Sequence, residues 1–136
     1  MKKVFISLLV VGLFGCSTEP VSPKDAKPVP PAIKYQKKEG FLPITIIRDK
    51  GVIGVACEIT VYINGEQIAN LNRAEKVTPY VSPGQIILGA GFNGAGLCSG
   101  PVRKERVFTI NNNDHMVFRI FMDQDANIDI LPSTIK

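Results

Sequence analysis

A single histidine, His115, stands in a chain of 136 residues, and that scarcity narrows the chemistry first. General acid–base catalysis most often uses histidine. His115 lies at the edge of a strand-like stretch after a polar turn, where it reads as a surface side chain. Ser82 and Ser99 fall in turn sequences with no evident base to activate them. None of the three cysteines forms a Cys-x-x-Cys pair, which argues against thiol redox catalysis. No apolar run reaches 18 residues, the length a spanning helix needs. After the first fifteen residues no window of a dozen has a convincing 3.6-residue period. "GEQIANLNRAEK" comes nearest, and the Asn64-Gly65 turn competes with it. A surplus of either charge is also missing from residue 41 onward, where nine basic residues meet nine acidic ones. Such a domain has no electrostatic footprint for nucleic acid.

What the chain does have is short alternating segments. In "ACEITVYING", Cys57, Ile59, Val61 and Ile63 face one way while Glu58, Thr60 and Tyr62 face the other, the pattern of a half-buried strand. Asn64-Gly65 is a strong hairpin signal, because both central residues of a type I′ turn need positive φ. Residues 66–71 read as the returning strand. Further strands read at 41–49, 76–81, 85–92, 106–110, 115–123 and 127–131. Pro83-Gly84 and the 111–114 stretch have turn composition. Arg119 reads as the outward face of an alternating strand, with a ligand anchor as the alternative. Strands punctuated every 8–12 residues predict an all-β fold, a small antiparallel sandwich.

The N-terminus differs in kind. Lys2 and Lys3 precede an apolar run from Val4 to Phe14 that ends in Leu13-Phe14-Gly15-Cys16. This resembles the signal and lipobox of bacterial lipoproteins. The resemblance implies cleavage between Gly15 and Cys16 and lipidation of Cys16, with residues 1–15 removed. Ser17 in place of Asp implies sorting to the outer membrane of a Gram-negative envelope. Residues 16–40 hold five prolines and few large apolar side chains, so they read as a disordered tether. Its extended reach would be on the order of 70 Å, leaving residues 41–136 as the folded domain. With Cys16 acylated, Cys57 and Cys98 remain as an even pair in an oxidising compartment. A disulfide is the natural reading, with two buried thiols or a redox pair as alternatives.

"VYINGEQIANL…VTPYVSPGQIILGA" is similar to PEGA-type modules and to small bacterial lipoproteins with the same core. The matching elements are Val61–Ile63, Asn64-Gly65, Gln67–Leu71, Thr78-Pro79, Pro83-Gly84 and Ile86–Ala90. The resemblance covers about residues 58–90 and implies an immunoglobulin- or transthyretin-like sandwich without catalytic residues.

Gly89-x-Gly91-x-x-Gly94 has the spacing of a dinucleotide fingerprint. That site needs a helix after its third glycine, and Gly96, Gly100 and Pro101 forbid one. A bulged or flexible loop, tied by Cys98 to the strand of Cys57, is the expectation in its place. "DQDANID" begins a calcium-loop spacing at Asp123, Asp125, Asn127 and Asp129. Ile128 stands where that loop needs glycine and Thr134 where it needs an acid, so a turn between strands explains the residues equally well. No cofactor, metal, nucleotide or catalytic residue is expected. The reading is a non-enzymatic lipoprotein, held in the outer membrane by Cys16, facing the periplasm and binding an envelope protein or cell-wall polymer. The alternative is a small envelope hydrolase or an inhibitor of an envelope enzyme, for which residues 89–101 would supply a protruding loop.

Overall fold

The computed structural model describes residues 18–51, 54, 56–94, 96–113 and 115–136. Eleven strands run through them: β1 Lys27–Val29, β2 Leu42–Pro43, β3 Thr45–Arg48, β4 Ile59–Ile63, β5 Glu66–Leu71, β6 Glu75–Val77, β7 Tyr80–Val81, β8 Gly84–Phe92, β9 Lys104–Ile110, β10 Val117–Met122 and β11 Ile128–Ser133. The turn chemistry works as the sequence implies. Asn64 and Gly65 both take positive φ, 49° and 82°, and join β4 to β5. Gly84, after Pro83, takes φ 116° at the start of β8.

Two sheets pack as a small β-sandwich. The four-stranded sheet has the order β5-β4-β8-β9 and is antiparallel throughout. The five-stranded sheet has the order β1-β6-β3-β10-β11. In it β1–β6 and β3–β10 are parallel, and β3–β6 and β10–β11 antiparallel. Parallel neighbours cannot be joined by a tight hairpin, and β3 and β10 are far apart in the chain. β2 and β7 form a separate two-stranded ribbon. Ile59, Val61, Ile63 and Leu88 face Ile46, Phe118, Ile120 and Ile130 in one buried cluster. The rings of Phe108 and Phe118 meet at 4.7 Å, joining β9 to β10.

The register defines two ends. Ile59 pairs with Phe92 and Leu71, and Ile120 with Arg48. The loops at 49–58, 72–74, 93–103 and 123–127 therefore share one end, the upper. The turns at 64–65, 82–83 and 111–116 share the lower.

The tether expectation for residues 16–40, and with it a domain starting at residue 41, is overturned from Thr18 onward. Glu19 and Lys50 exchange backbone hydrogen bonds of 2.7 and 2.9 Å. Val21 and Ala26 are buried against Ile47 on the outer face of β3. β1 then extends the five-stranded sheet, and the Ala32 amide donates to the Ile68 carbonyl of β5 at 2.9 Å. A 3-10 turn at Ile33–Tyr35 places Tyr35 in the main core. The segment is a strap that covers one sheet face and closes the edge between β6 and β5. Composition misleads here because the strap does not need its own core. Three well-placed side chains and a rigid proline-rich backbone, with little conformational entropy to lose, are enough. Gly15 and Cys16 lie outside the described residues.

At the opposite edge Arg106 of β9 donates from Nε and Nη2 to the two carboxylate oxygens of Asp129 on β11, at 2.7 and 2.8 Å. This bidentate pair joins the sheets and holds the Asp129 carboxyl below the usual carboxylate range. Its contribution is present above the unfolded carboxylate value of about 3.9 and is lost as pH falls through the lower folded value. Asp49 has the opposite sign. Burial pushes its carboxyl up, although Arg119 and Thr18 pull it down. The difference in denaturation midpoint between the native chain and Asp129→Asn is therefore expected at neutral pH and should close in acid. A difference that is constant from pH 7 to 2 would exclude the pairing.

Arg48 ends β3 fully buried. Its Nη1 donates to the carbonyls of Cys57 at 2.5 Å and Leu71 at 2.8 Å, and its Nη2 to that of Gly54 at 2.9 Å. Burial lowers its pKa to about 10, which leaves it charged at neutral pH. The guanidinium fork thus fastens the upper-end loops to the sheet. Arg48→Leu strands three acceptors, each costing about 1–3 kcal/mol, while relieving the cost of burying the charge. A net loss of about 3 kcal/mol in urea unfolding is expected, and a neutral result would show that the fork contributes nothing.

Candidate functional site

A hollow of about 210 Å³ opens at the lower end. Its walls come from the strap, the β4–β5 turn and β7. Tyr35 is buried at its back, and its hydroxyl donates to Glu66 Oε2 at 3.1 Å. Lys34 Nζ donates to Glu66 Oε1 at 2.6 Å. Burial, and then the hydrogen bond to Glu66, raise the Tyr35 pKa to about 12, while Lys34 and Tyr35 hold the Glu66 carboxyl down. Lys38 lies over the Phe41 ring at 4.6 Å. Tyr80, half-buried on β7, lines the same opening with the polar side chains of Asn64 and Ser82. The arrangement offers aromatic faces for stacking, an exposed ammonium for an anion, and amide and hydroxyl groups for orientation. These groups suit the binding of a polar ligand.

The other residues singled out in the sequence lie elsewhere. His115 is exposed, with Nε2 2.8 Å from Thr45 Oγ1. The Ser99 hydroxyl donates to the Gly96 carbonyl at 2.8 Å. Arg119 pairs with the buried Asp49 carboxylate, so it is a structural cation on the sheet face under the strap. Asp123 accepts from the amides of Asp125 and Asn127 at 2.9 Å and orders the β10–β11 turn. With Asp129 held by Arg106, the calcium spacing is accounted for by a turn and an ion pair.

Gly89 and Gly91 lie inside β8. A Cβ on Gly91 would come within 2.9 Å of Arg103 Cβ, and one on Gly89 within 3.1 Å of Tyr62 Cβ. On this outer face the Arg103 guanidinium stacks on the Tyr62 ring at 4.4 Å. Beyond Gly94 the chain makes a single 3-10 turn, Gly96–Cys98. The glycines serve strand packing and a loop. Cys57 and Cys98 form a disulfide, with Cα atoms 5.4 Å apart. Cys57 sits in the upper-end loop just before β4, and the bond holds the 93–103 loop beside it.

Sequence reasoning missed the hollow because one wall of it, Lys34, Tyr35 and Lys38, belongs to the strap. The spacing of Tyr35, Lys34 and Lys38 carries no motif. Asn64-Gly65 and Pro83-Gly84 marked two of its borders. Fold and site together define a two-sheet β-sandwich-like domain with a mixed aromatic and cationic hollow at one end. No protein family, curated protein or solved structure matches the chain.

Proposed function

We propose that the chain is a lipid-anchored envelope protein of the outer membrane, a non-catalytic module that faces the periplasm and uses the lower-end hollow to bind cell-wall polymer. The lipobox-like Leu13-Phe14-Gly15-Cys16 supplies the anchor. The observation that carries the reading is the position of the hollow. Thr18 and Glu19 are bound at the upper end, so an anchor at Cys16 leaves the Tyr35–Tyr80 hollow pointing away from the bilayer. Sugar rings stack on aromatic side chains, here the half-buried Tyr80, and wall fragments carry carboxylates that Lys38 would meet.

Titration of the protein with soluble wall fragments, followed by amide NMR, is expected to move resonances of residues 34–41, 64–66 and 80–82. Tyr80→Ala should weaken binding at least tenfold without changing the fold. Shifts confined to other surfaces, or none at millimolar fragment, would sink the ligand assignment. Fatty-acid labelling that persists in Cys16→Ser would sink the anchor.

A further inference from the structure

The upper end carries a second feature that the binding role leaves unused. The 93–103 loop projects there with Leu97 fully exposed and Val102 94 % exposed. Val102 borders a hollow of about 250 Å³ that Ala90 and Ile128 also line. Exposed large apolar side chains on a loop fastened by a disulfide are costly in water, about 1.5–3 kcal/mol each relative to burial. The same 49–58 loop that holds Cys57, and through it Cys98, also binds Glu19 by backbone and Thr18 by side chain. Cys16 precedes Thr18 by two residues, a span of at most about 7 Å. The start of the chain and the apolar loop therefore share one end of the sandwich.

We infer that this end lies on the bilayer, and that Leu97 and Val102 enter its interfacial layer as a second, shallow contact beside the acyl chains of Cys16. The inference rests on the lipid anchor proposed above. Charge does not drive it. Lys50, Arg73 and Lys104 meet Glu19, Glu58, Asp123 and Asp125 at this end, and Arg103 is paired with Glu105. The contact is apolar, so it takes zwitterionic and anionic lipid alike. Such a contact fixes orientation. A single tether lets the domain turn about its stalk, whereas an anchor and a loop hold the long axis upright and keep the lower-end hollow outermost.

The chain contains no tryptophan, so an introduced indole is the sole tryptophan reporter. Full-length lipidated protein bearing Leu97→Trp, Val102→Trp or, as a remote control, Ile33→Trp is placed in phosphatidylcholine vesicles containing brominated acyl chains. All three positions are exposed, so the fold tolerates the exchange. At positions 97 and 102 the emission is expected to shift to the blue and be quenched at least twofold, and at position 33 to do neither. Adding phosphatidylglycerol should change these values little. Unquenched emission at 97 and 102 from protein that floats with the vesicles overturns the loop contact, leaves the anchor intact and turns the loop toward a protein partner. Wild-type protein that fails to float overturns the anchor and the orientation with it.

Discussion

A chain beginning at Phe41 is expected not to fold. It lacks the strap, and the loss is larger than the 23 described residues 18–40 suggest. Val21 and Ala26 cover Ile47 on the outer face of β3, and Tyr35 fills the lower core. Thr18 Oγ1 donates to Asp49 Oδ2 at 3.0 Å. Without the strap, Ile47 and the Asp49–Arg119 pair face water, β6 becomes a bare edge, and the gap between β6 and β5 opens. Removing a buried aromatic side chain alone typically costs about 3–5 kcal/mol, and a small domain has about 5–15 kcal/mol in all. Near-ultraviolet circular dichroism of the shortened chain should be flat, and amide resonances should collapse toward random-coil values. Tyr35→Ala, a milder lesion, should lower stability by about 3 kcal/mol. A shortened chain with a cooperative transition at the native temperature would return residues 18–40 to the status of a tether.

Loss of the disulfide is the second large effect. Cys57 and Cys98 are separated by 41 positions, and closing a loop of that size stabilises by about 4 kcal/mol in the chain-entropy account. The 93–103 loop has few other fastenings. The Phe92 ring lies against Gly100 so closely that a Cβ there would sit 2.2 Å from Cδ2, and Arg103 stacks on Tyr62 where the loop rejoins β9. Cys57→Ala, Cys98→Ala and the double variant should therefore lose the same amount, about 2–5 kcal/mol. All three should release the same loop to rapid amide exchange. Denaturant unfolding with exchange measurements separates the effects. A double variant markedly worse than either single one would mean that each thiol packs independently. Two freely alkylated thiols in freshly isolated protein would rule out the bond altogether.

Much of the sandwich was legible because strands leave local marks. Alternation at 57–63, the paired turn residues at 64–65 and the proline–glycine step at 83–84 each depend on neighbours in sequence; the turns appear in place, while the strand begins only at Ile59 and buries Thr60 along with Ile59, Val61 and Ile63. β5 spans the residues its pattern implied, Glu66–Leu71. The disulfide was readable by elimination once Cys16 was set aside. The strap was not readable, because its few buried side chains pack on a surface built by residues 44–49, 68 and 74–77. β1 spans only Lys27–Val29 and includes Pro28, which lacks an amide to donate to a ladder. Arg48 was hidden for a related reason. Alternation puts Arg48 on the apolar face of Ile44 and Ile46, where a charge looks out of place, and nothing local says that three carbonyls will converge on it. The candidate hollow inherits this blindness, since Lys34, Tyr35 and Lys38 acquire meaning only when the strap is laid against the β4–β5 turn.

The sheet order β1-β6-β3-β10-β11 has a consequence for the timing of assembly. The four-stranded sheet uses residues 59–110 alone, joined through near neighbours, and can close while the rest of the chain is still loose. β3, the centre of the other sheet, waits for β10, some seventy residues later, and the strap waits for β3 and β6. Entropy of loop closure makes such distant pairing slow. A chain delivered from its N-terminus thus keeps its first-made segment unsecured until its last strands arrive. Thr18 and Glu19, held to Asp49 and Lys50 in the finished molecule, therefore stay accessible longest during assembly.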